Sequence, residues 1–489
     1  MIESATVPAP RRLRCVAVPA VAILSVASAS PAVRVPHDGD STRPDLGAIE
    51  EHLPIPSFSR LYGTACSTCH TAAPKLNAFG EVFRLNGYRM PESRLVDRKD
   101  DPVSLGAPEW DEAWPRSIRS SDIPGIVPLA LRVVSDAQIT RDESVPYDFT
   151  YMFPEEVHLL AGTPLGDDLA AFIDVEWERG EGLSLHQARI EFRDPVPGLP
   201  ERLLSLRLGV QDPYLMTFGH RHVDRVARLP FLWQTFEASE VQVVDGSAIE
   251  SIRADNELNL ARSQPTVELD AMITGRLQLG VGLSQGLGDG GVDRNGRKDL
   301  YYKVRYKAGG MDFTGSYDSE QIPNQTMNGQ LLDRAVVIEH FGYVGNETTE
   351  SAPQGDHTAF GVAVRALFGR VDVGAGYVVR DFARPWAELP DGHLKTESLF
   401  ARAEYLMLPW VIASLKAERL DVVADDLPPD ASIASRPSES TRMMPGVALL
   451  LRQNVRLAME GELFLRHPDT RQAELSLPHS LWMRLDVAF

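Results

Sequence analysis

Cysteine is almost absent. Cys15, Cys66 and Cys69 are the only three in 489 residues, which excludes a scaffold stapled by several disulfides. Long apolar runs are missing too. The best candidate, CVAVPAVAILSVASA over residues 15–29, contains Pro19 and falls short of the roughly 20 apolar residues a spanning helix requires. Basic residues are in deficit, 49 Lys and Arg against 68 Asp and Glu, for a net charge of -19. That balance argues against nucleic acid as a partner and suits the gathering of cations at an acidic mouth.

Arg11, Arg12 and Arg14 precede the apolar run, and Ala27-Ser28-Ala29 closes it with small residues. This is the pattern of a secretory signal peptide over residues 1–29. Cleavage near Ala29 removes Cys15 and leaves Cys66 and Cys69 as a disulfide, a metal site or a cofactor attachment.

From about residue 125 onward the chain alternates with period two. Leu169, Ala171, Ile173, Val175 and Trp177 oppose Asp174, Glu176 and Glu178; Leu204, Leu206, Leu208 and Val210 oppose Ser205, Arg207 and Gln211. Tyr302, Val304 and Tyr306 oppose Lys303, Arg305 and Lys307; Leu399, Ala401, Ala403 and Tyr405 oppose Arg402 and Glu404. Val455, Leu457, Met459, Leu463 and Leu465 oppose Arg456, Glu460, Glu462 and Arg466. The last residues, LPHSLWMRLDVAF, alternate likewise and stop on Phe489. Each stretch is roughly ten residues long with one charged face, as in a transmembrane strand with lipid on one side and a polar lumen on the other. A water-soluble sandwich reverses the two faces. The export signal, the terminal aromatic and the connections favour the barrel: Gly309-Gly310, Gly369-Arg370 and Gln453-Asn454 read as short turns, and residues 286–299, 381–394 and 421–441 as long polar loops. The expected fold is mainly β, an antiparallel transmembrane β-barrel of about 16 strands over residues 121–489. The alternation of long and short connections breaks between about 318 and 356.

Residues 30–120 are rich in proline and show little period-two pattern. Their helical candidate begins at Pro74 in PKLNAFGEVFRLNGY, where Leu76, Phe79, Val82, Phe83 and Leu85 share a face, Pro74 suits a first turn and Gly87 an end. A domain this small, with one helix, needs something beyond an ordinary core.

Cys66-Ser67-Thr68-Cys69-His70 supplies it, having the C-x-x-C-H form of covalent haem attachment. Two thiols three apart reach the two vinyl groups on one porphyrin edge, and the residue after the second thiol turns beneath the ring, making His70 the proximal iron ligand. Phe79, Val82 and Phe83 would pack on the macrocycle. A thioredoxin-like pair needs a βαβ context that neither flank provides, and a zinc site needs further ligands nearby. Met90, twenty positions after His70, is the candidate distal ligand, with His52, Lys75, His158 and His186 or an open position as alternatives. Asp289, Asp293, Asn295, Gly296 and Asp299 form a weak calcium-loop pattern that reads better as a polar hairpin. His220 and His222 are candidates for a transition metal, a solvated loop being the simpler reading. No separate catalytic residue is assigned.

The stretch PSFSRLYGTACSTCHTAAPKLNAFGEVFRLNGY resembles the cytochrome domain of the outer-membrane monohaem cytochrome-porin fusions, the family that includes bacterial ferrous-iron oxidases. The matching positions are Pro56, Phe58, Arg60 and Gly63 before the haem motif, then Pro74, Leu76, Phe79, Gly80, Phe83, Asn86, Gly87 and Tyr88. RLYGTA stands where the iron-oxidising members have an RQTG-type sequence. The resemblance covers about forty residues, the remainder being similarity of plan. It implies an α-helical c-type cytochrome domain over residues 30–120, one haem c held in or at the mouth of the barrel, and electron transfer across the outer membrane between extracellular Fe2+ and a periplasmic carrier such as a soluble cytochrome, an iron:cytochrome oxidoreductase. Alternatives are an outward conduit to an extracellular acceptor, a solute porin with a haem-containing plug or sensor, and a small-molecule haem enzyme with an open sixth position.

Overall fold

The computed structural model describes residues 58, 62, 66–90, 129–141, 148–165, 168–217, 240–245, 248–253, 260, 263–286, 296–316, 326–327, 330–348, 353–384, 391–425, 431–433, 439–452, 454–466 and 479–488. All belong to one compact unit, Leu53–Phe489. The signal-peptide assignment, His52, His220, His222 and the loop positions Asp289, Asp293 and Asn295 lie outside the described residues.

Sixteen antiparallel strands close into a barrel. The first, Leu129–Arg141, pairs with the last, His479–Ala488, so the sheet has no edge. Which face points inward is decided by exposure. Lys303, Arg305 and Lys307 are 4% exposed or less, whereas Leu300 and Tyr306 between and beside them stand at 52% and 46%. Arg402 and Glu404 are likewise buried against exposed Leu399 and Tyr405. Charges inside and apolar side chains outside is the inverted arrangement of an outer-membrane-type barrel. Outward aromatics gather toward both ends, Phe149, Tyr151 and Phe153 at one and Phe368, Tyr405 and Trp410 at the other, as interfacial girdles do.

The buried charges are paired across neighbouring strands. Arg207 contacts Glu191 at 3.1 Å and Glu268 at 2.8 Å; Arg442 lies 2.6 Å from Glu418 and 2.5 Å from Glu462; Arg484 lies 2.6 Å from Asp136. Such pairs meet the rule that a desolvated charge needs a hydrogen-bonded partner.

One end collects the short turns 166–168, 274–276, 369–370, 409–410 and 453–454, and the other collects the long connections 212–263, 285–298, 426–438 and 467–478. Two expectations need correction. Gly309-Gly310 is not a tight turn: both residues have positive φ, +75° and +59°, but the connection runs on to residue 333 and carries Phe313 into a buried cluster with Leu85 and Val337. The break near 318–356 contains an unbroken strand, Arg334–Thr348. Its inward positions, Ala335, Val337, Glu339, Phe341 and Tyr343, include one charge only, so the polar face that marks the other strands is missing there.

Candidate functional site

Residues 66–90 lie inside the barrel. Cys66–Cys69 form one helical turn, and the strands His70–Ala72 and Lys75–Leu76 pair antiparallel about the Ala73-Pro74 turn. The helix covers Ala78–Leu85. Its start is not Pro74, which occupies that turn; Asn77 is the cap, its Oδ1 accepting from the Gly80 N–H at 2.9 Å. The same side chain donates through Nδ2 to the Ser67 and Thr68 carbonyls, at 3.1 and 3.0 Å. The Asn77 N–H donates to the Cys69 carbonyl at 2.9 Å. One asparagine thus fastens the CSTC turn to the helix.

The helix ends as the glycine predicted. Gly87 has φ +60°, its N–H donates to Arg84 and the Tyr88 N–H to Phe83, which is a Schellman closure. Phe83 and Tyr88 meet with ring centroids 6.0 Å apart, the apolar contact that accompanies it.

The expectation of a small domain with its own haem-built core is revised for these residues: their apolar side chains pack on the barrel wall. Phe83 and Tyr88 cluster with Ala170 and Phe172, joined by Phe58, Tyr62, Phe79, Cys69 and Met90. Ala72 joins Leu406, Ile412, Ala448 and Ala458. Polar ties run to several sides of the wall. Glu81 pairs with Arg305, Lys75 with Glu404 and with Asp372 at 2.8 Å, and Arg89 donates to the Leu169 carbonyl at 2.6 Å. Arg189 donates to the Tyr88 hydroxyl. Arg84 lies over the Tyr214 ring at 4.3 Å; burial, followed by the nearby Arg207 and Arg189, lowers its pKa to about 10, so the guanidinium is charged at neutral pH and the ring face offsets part of its desolvation.

Cys66 and Cys69 are not joined in a disulfide. Placed at i and i+3 of one helical turn, they share a face. Cys66, Ser67 and His70 line a cavity of about 200 Å³ whose other wall includes Trp410, Leu450, Arg452 and Val455. Trp410 and Asn454 belong to the short turns, so this cavity stands at the short-turn mouth. Burial pushes the Cys69 thiol up to about 12, with the neighbouring Cys66 thiol adding to the effect.

The other ligand candidates separate. Met90 packs on the same aromatic cluster as Cys69. Lys75 is engaged by Asp372 and Glu404, which disfavours it as an iron ligand. His158 and His186 stand on the lumen wall and do not line the cavity. Asp299, proposed above as part of a polar loop, is buried and accepts from the Tyr343 hydroxyl at 2.6 Å and the Asn346 N–H at 3.1 Å. Sequence reading missed Asn77 and named Gly80 only as a position of the resemblance, without its packing against the Cys69 carbonyl. An Asn three residues before a Gly in a helical stretch was a legible cap signal for the first, but nothing local marks the close approach that the second permits.

No family model matches the chain, and no curated protein matches it. Among solved structures, similarity extends to OmpT of Vibrio cholerae in a loop L8 deletion form, with 11% identity, a TM-score of 0.45 and coverage of 74% of this chain and 99% of that one. OmpF of Salmonella typhi, solved in complex with daunomycin, has 9% identity, a TM-score of 0.46 and coverage of 77% and 99%. The outer membrane channel DcaP of Acinetobacter baumannii has 12% identity, a TM-score of 0.45 and coverage of 74% and 97%. At these scores the likenesses carry no functional argument.

Proposed function

We propose that this chain is an outer-membrane electron-transfer barrel: one haem c, joined covalently to Cys66 and Cys69 and ligated by His70, passes electrons between extracellular Fe2+ and a periplasmic carrier. The observation that supports it most is the enclosure of CSTCH within the lumen, beside a cavity at the mouth where the short turns gather. Short turns are periplasmic in such barrels, so this mouth faces a periplasmic partner.

The residues present suit the group. Two thiols outside any disulfide share a helical turn, the imidazole follows directly, and Arg452 at the cavity wall offers a positive charge to an anionic propionate. When bound, haem supplies one-electron iron chemistry whose potential follows its axial ligands. The protein's own part is positional. Asn77 holds the turn that carries both thiols, His70 is presented at the cavity, and Trp410, Leu450 and Val455 restrict water on the facing wall. The ties from Glu81, Lys75 and Arg89 to the wall keep the segment across the lumen, separating an external donor from the periplasm. The net negative charge favours approach of a cationic donor. Met90 stays the candidate distal ligand from the sequence; it packs with Cys69 on the aromatic cluster and does not line the cavity.

A pyridine haemochrome spectrum of the denatured, membrane-expressed protein tests the reading. One covalent haem per chain, lost in Cys66→Ala and Cys69→Ala, is expected, followed by reduction of that haem by Fe2+. A chain without covalent haem overturns it. The solute-porin alternative rests on the closed sixteen-strand barrel alone, and high steady conductance in planar bilayers would favour it.

A further inference from the structure

We propose that the lumen wall carries a binding site for a divalent transition-metal ion, built from His158, Glu176 and His186 with Asp174 behind them. The three ligand atoms lie within 4.8 Å of one another. Glu176 sits between the imidazoles: one oxygen is 3.6 Å from His158 Nε2 and the other 2.8 Å from His186 Nδ1. Ligands bound to one metal at about 2.1 Å stand roughly 3.0 to 3.5 Å apart, so small side-chain movements bring the set onto an ion.

The supporting shell is built. His158 Nδ1 lies 3.1 Å from the Asp174 carboxylate; with Nδ1 as the donor, Nε2 is the nitrogen left to ligate a metal, which would displace the Glu156 contact on it, giving the carboxylate–histidine–metal arrangement. Asp174 also reaches toward His186 Nδ1 at 3.6 Å, and Glu156 approaches His158 Nε2 at 3.3 Å. Arg132 stands 3.3 Å from the same nitrogen, but its charge is met by Asp486 at 2.7 Å.

Backbone geometry is needed to assemble the set. His158 and Glu176 are cross-strand partners. On the next strand the register jumps from Asp174↔Gln187 to Val175↔Leu185, making His186 the extra residue of a β-bulge. Without that bulge, His186 and Gln187 would point to opposite faces; with it both turn from lipid, since Gln187 is buried and His186 partly so while Leu185 is exposed. Two imidazoles and one carboxylate are borderline ligands that select Fe2+, Co2+, Ni2+, Cu2+ or Zn2+ over Ca2+ or Mg2+, and three ligands leave coordination positions open. Glu176 is three residues from the 179–181 turn, at the end opposite the cavity. If the electron-transfer reading holds, this site names its donor as a coordinated metal ion; the metal site itself does not depend on that reading.

Titration of the purified full-length chain with Co2+ alone tests it. A saturable ligand-field spectrum with nitrogen ligation, one ion per chain, reversed by Zn2+ and not by Ca2+, is expected. Affinity should fall at least tenfold in His186→Ala and in Glu176→Gln. Absence of that spectrum in the unmodified chain overturns the site whatever the variants do. So does displacement by Ca2+ at similar concentration, the mark of an acidic patch, or unchanged affinity in both variants. Repeating the titration on Cys66→Ala separates the two proposals: Co2+ binding there, with haem lost, supports the metal site on its own terms.

Discussion

The carbonyl oxygen of Cys69 occupies the place where a Cβ on Gly80 would stand. Backbone lies against backbone at this point, and neither side has a flexible end to move. Gly80→Ala should therefore push the CSTC turn off the helix at a cost of about 1 to 3 kcal/mol, as overpacking does. Covalent haem per chain is expected to fall while the barrel, whose strands do not involve this contact, keeps its heat-resistant mobility in gels. Unchanged haem content would show that the turn can be presented without this approach.

Lys75 distinguishes the segment from the wall. It meets Asp372 and Glu404, and those carboxylates also hold Arg365 and Arg402. Removing Lys75 leaves two carboxylates against two guanidiniums, a balanced set, so the barrel should lose little stability. The segment loses a charge-assisted tie of about 1.5 to 3 kcal/mol. Lys75→Met is expected to raise single-channel conductance severalfold over the unmodified chain with an unshifted barrel melting temperature. An equal conductance in both would mean that the other ties suffice.

Tyr62 gives the segment an alkaline limit. Its hydroxyl donates to the Tyr88 carbonyl at 2.7 Å, and burial, opposed by Arg89, raises its pKa to about 12, against about 10 when unfolded. A raised value means that the folded state holds the proton more tightly. The contribution is complete below about pH 10 and is lost as pH rises through about 12. Near-ultraviolet circular dichroism should record a transition in that window, and Tyr62→Phe should remove it. A transition of equal size in the variant would assign it elsewhere.

The barrel was legible because lipid and lumen impose opposite chemistry on alternate residues: Lys303, Arg305 and Lys307 against Tyr302 and Tyr306 mark a strand without any fold knowledge. Alternation leaves the direction of the inside open, and exposure settles it. Arg334–Thr348 escaped because its inward face is filled by Val337, Phe341 and Tyr343, a choice made by packing across the lumen. The Gly87 stop was readable because it is a local rule. A place in or at the mouth of the barrel was expected, but the contacts that hold the segment there were not legible, since Glu81 meets Arg305 and Lys75 meets Glu404 across hundreds of residues. The meeting of His158, Glu176 and His186 was equally hidden, because period two assigns His186 to the wrong face until the bulge is known.

Cys69 bears on the order of assembly. The thiolate is the reactive form of cysteine, and enclosure holds the Cys69 thiol at about 12 compared with about 8.5 in an open chain. At pH 8.5 the thiolate fraction is then lower by about a thousandfold. In a Cys66→Ser chain made without haem, which keeps the burial and removes the Cys66 contribution, alkylation of Cys69 should still be slower by about tenfold or more in the folded barrel than in the same chain unfolded in denaturant. Haem offered to the folded barrel should remain unattached, which places attachment before the segment is enclosed. Comparable alkylation rates in the two states would mean that Cys69 is reachable in the finished barrel, and attachment after folding would then be open.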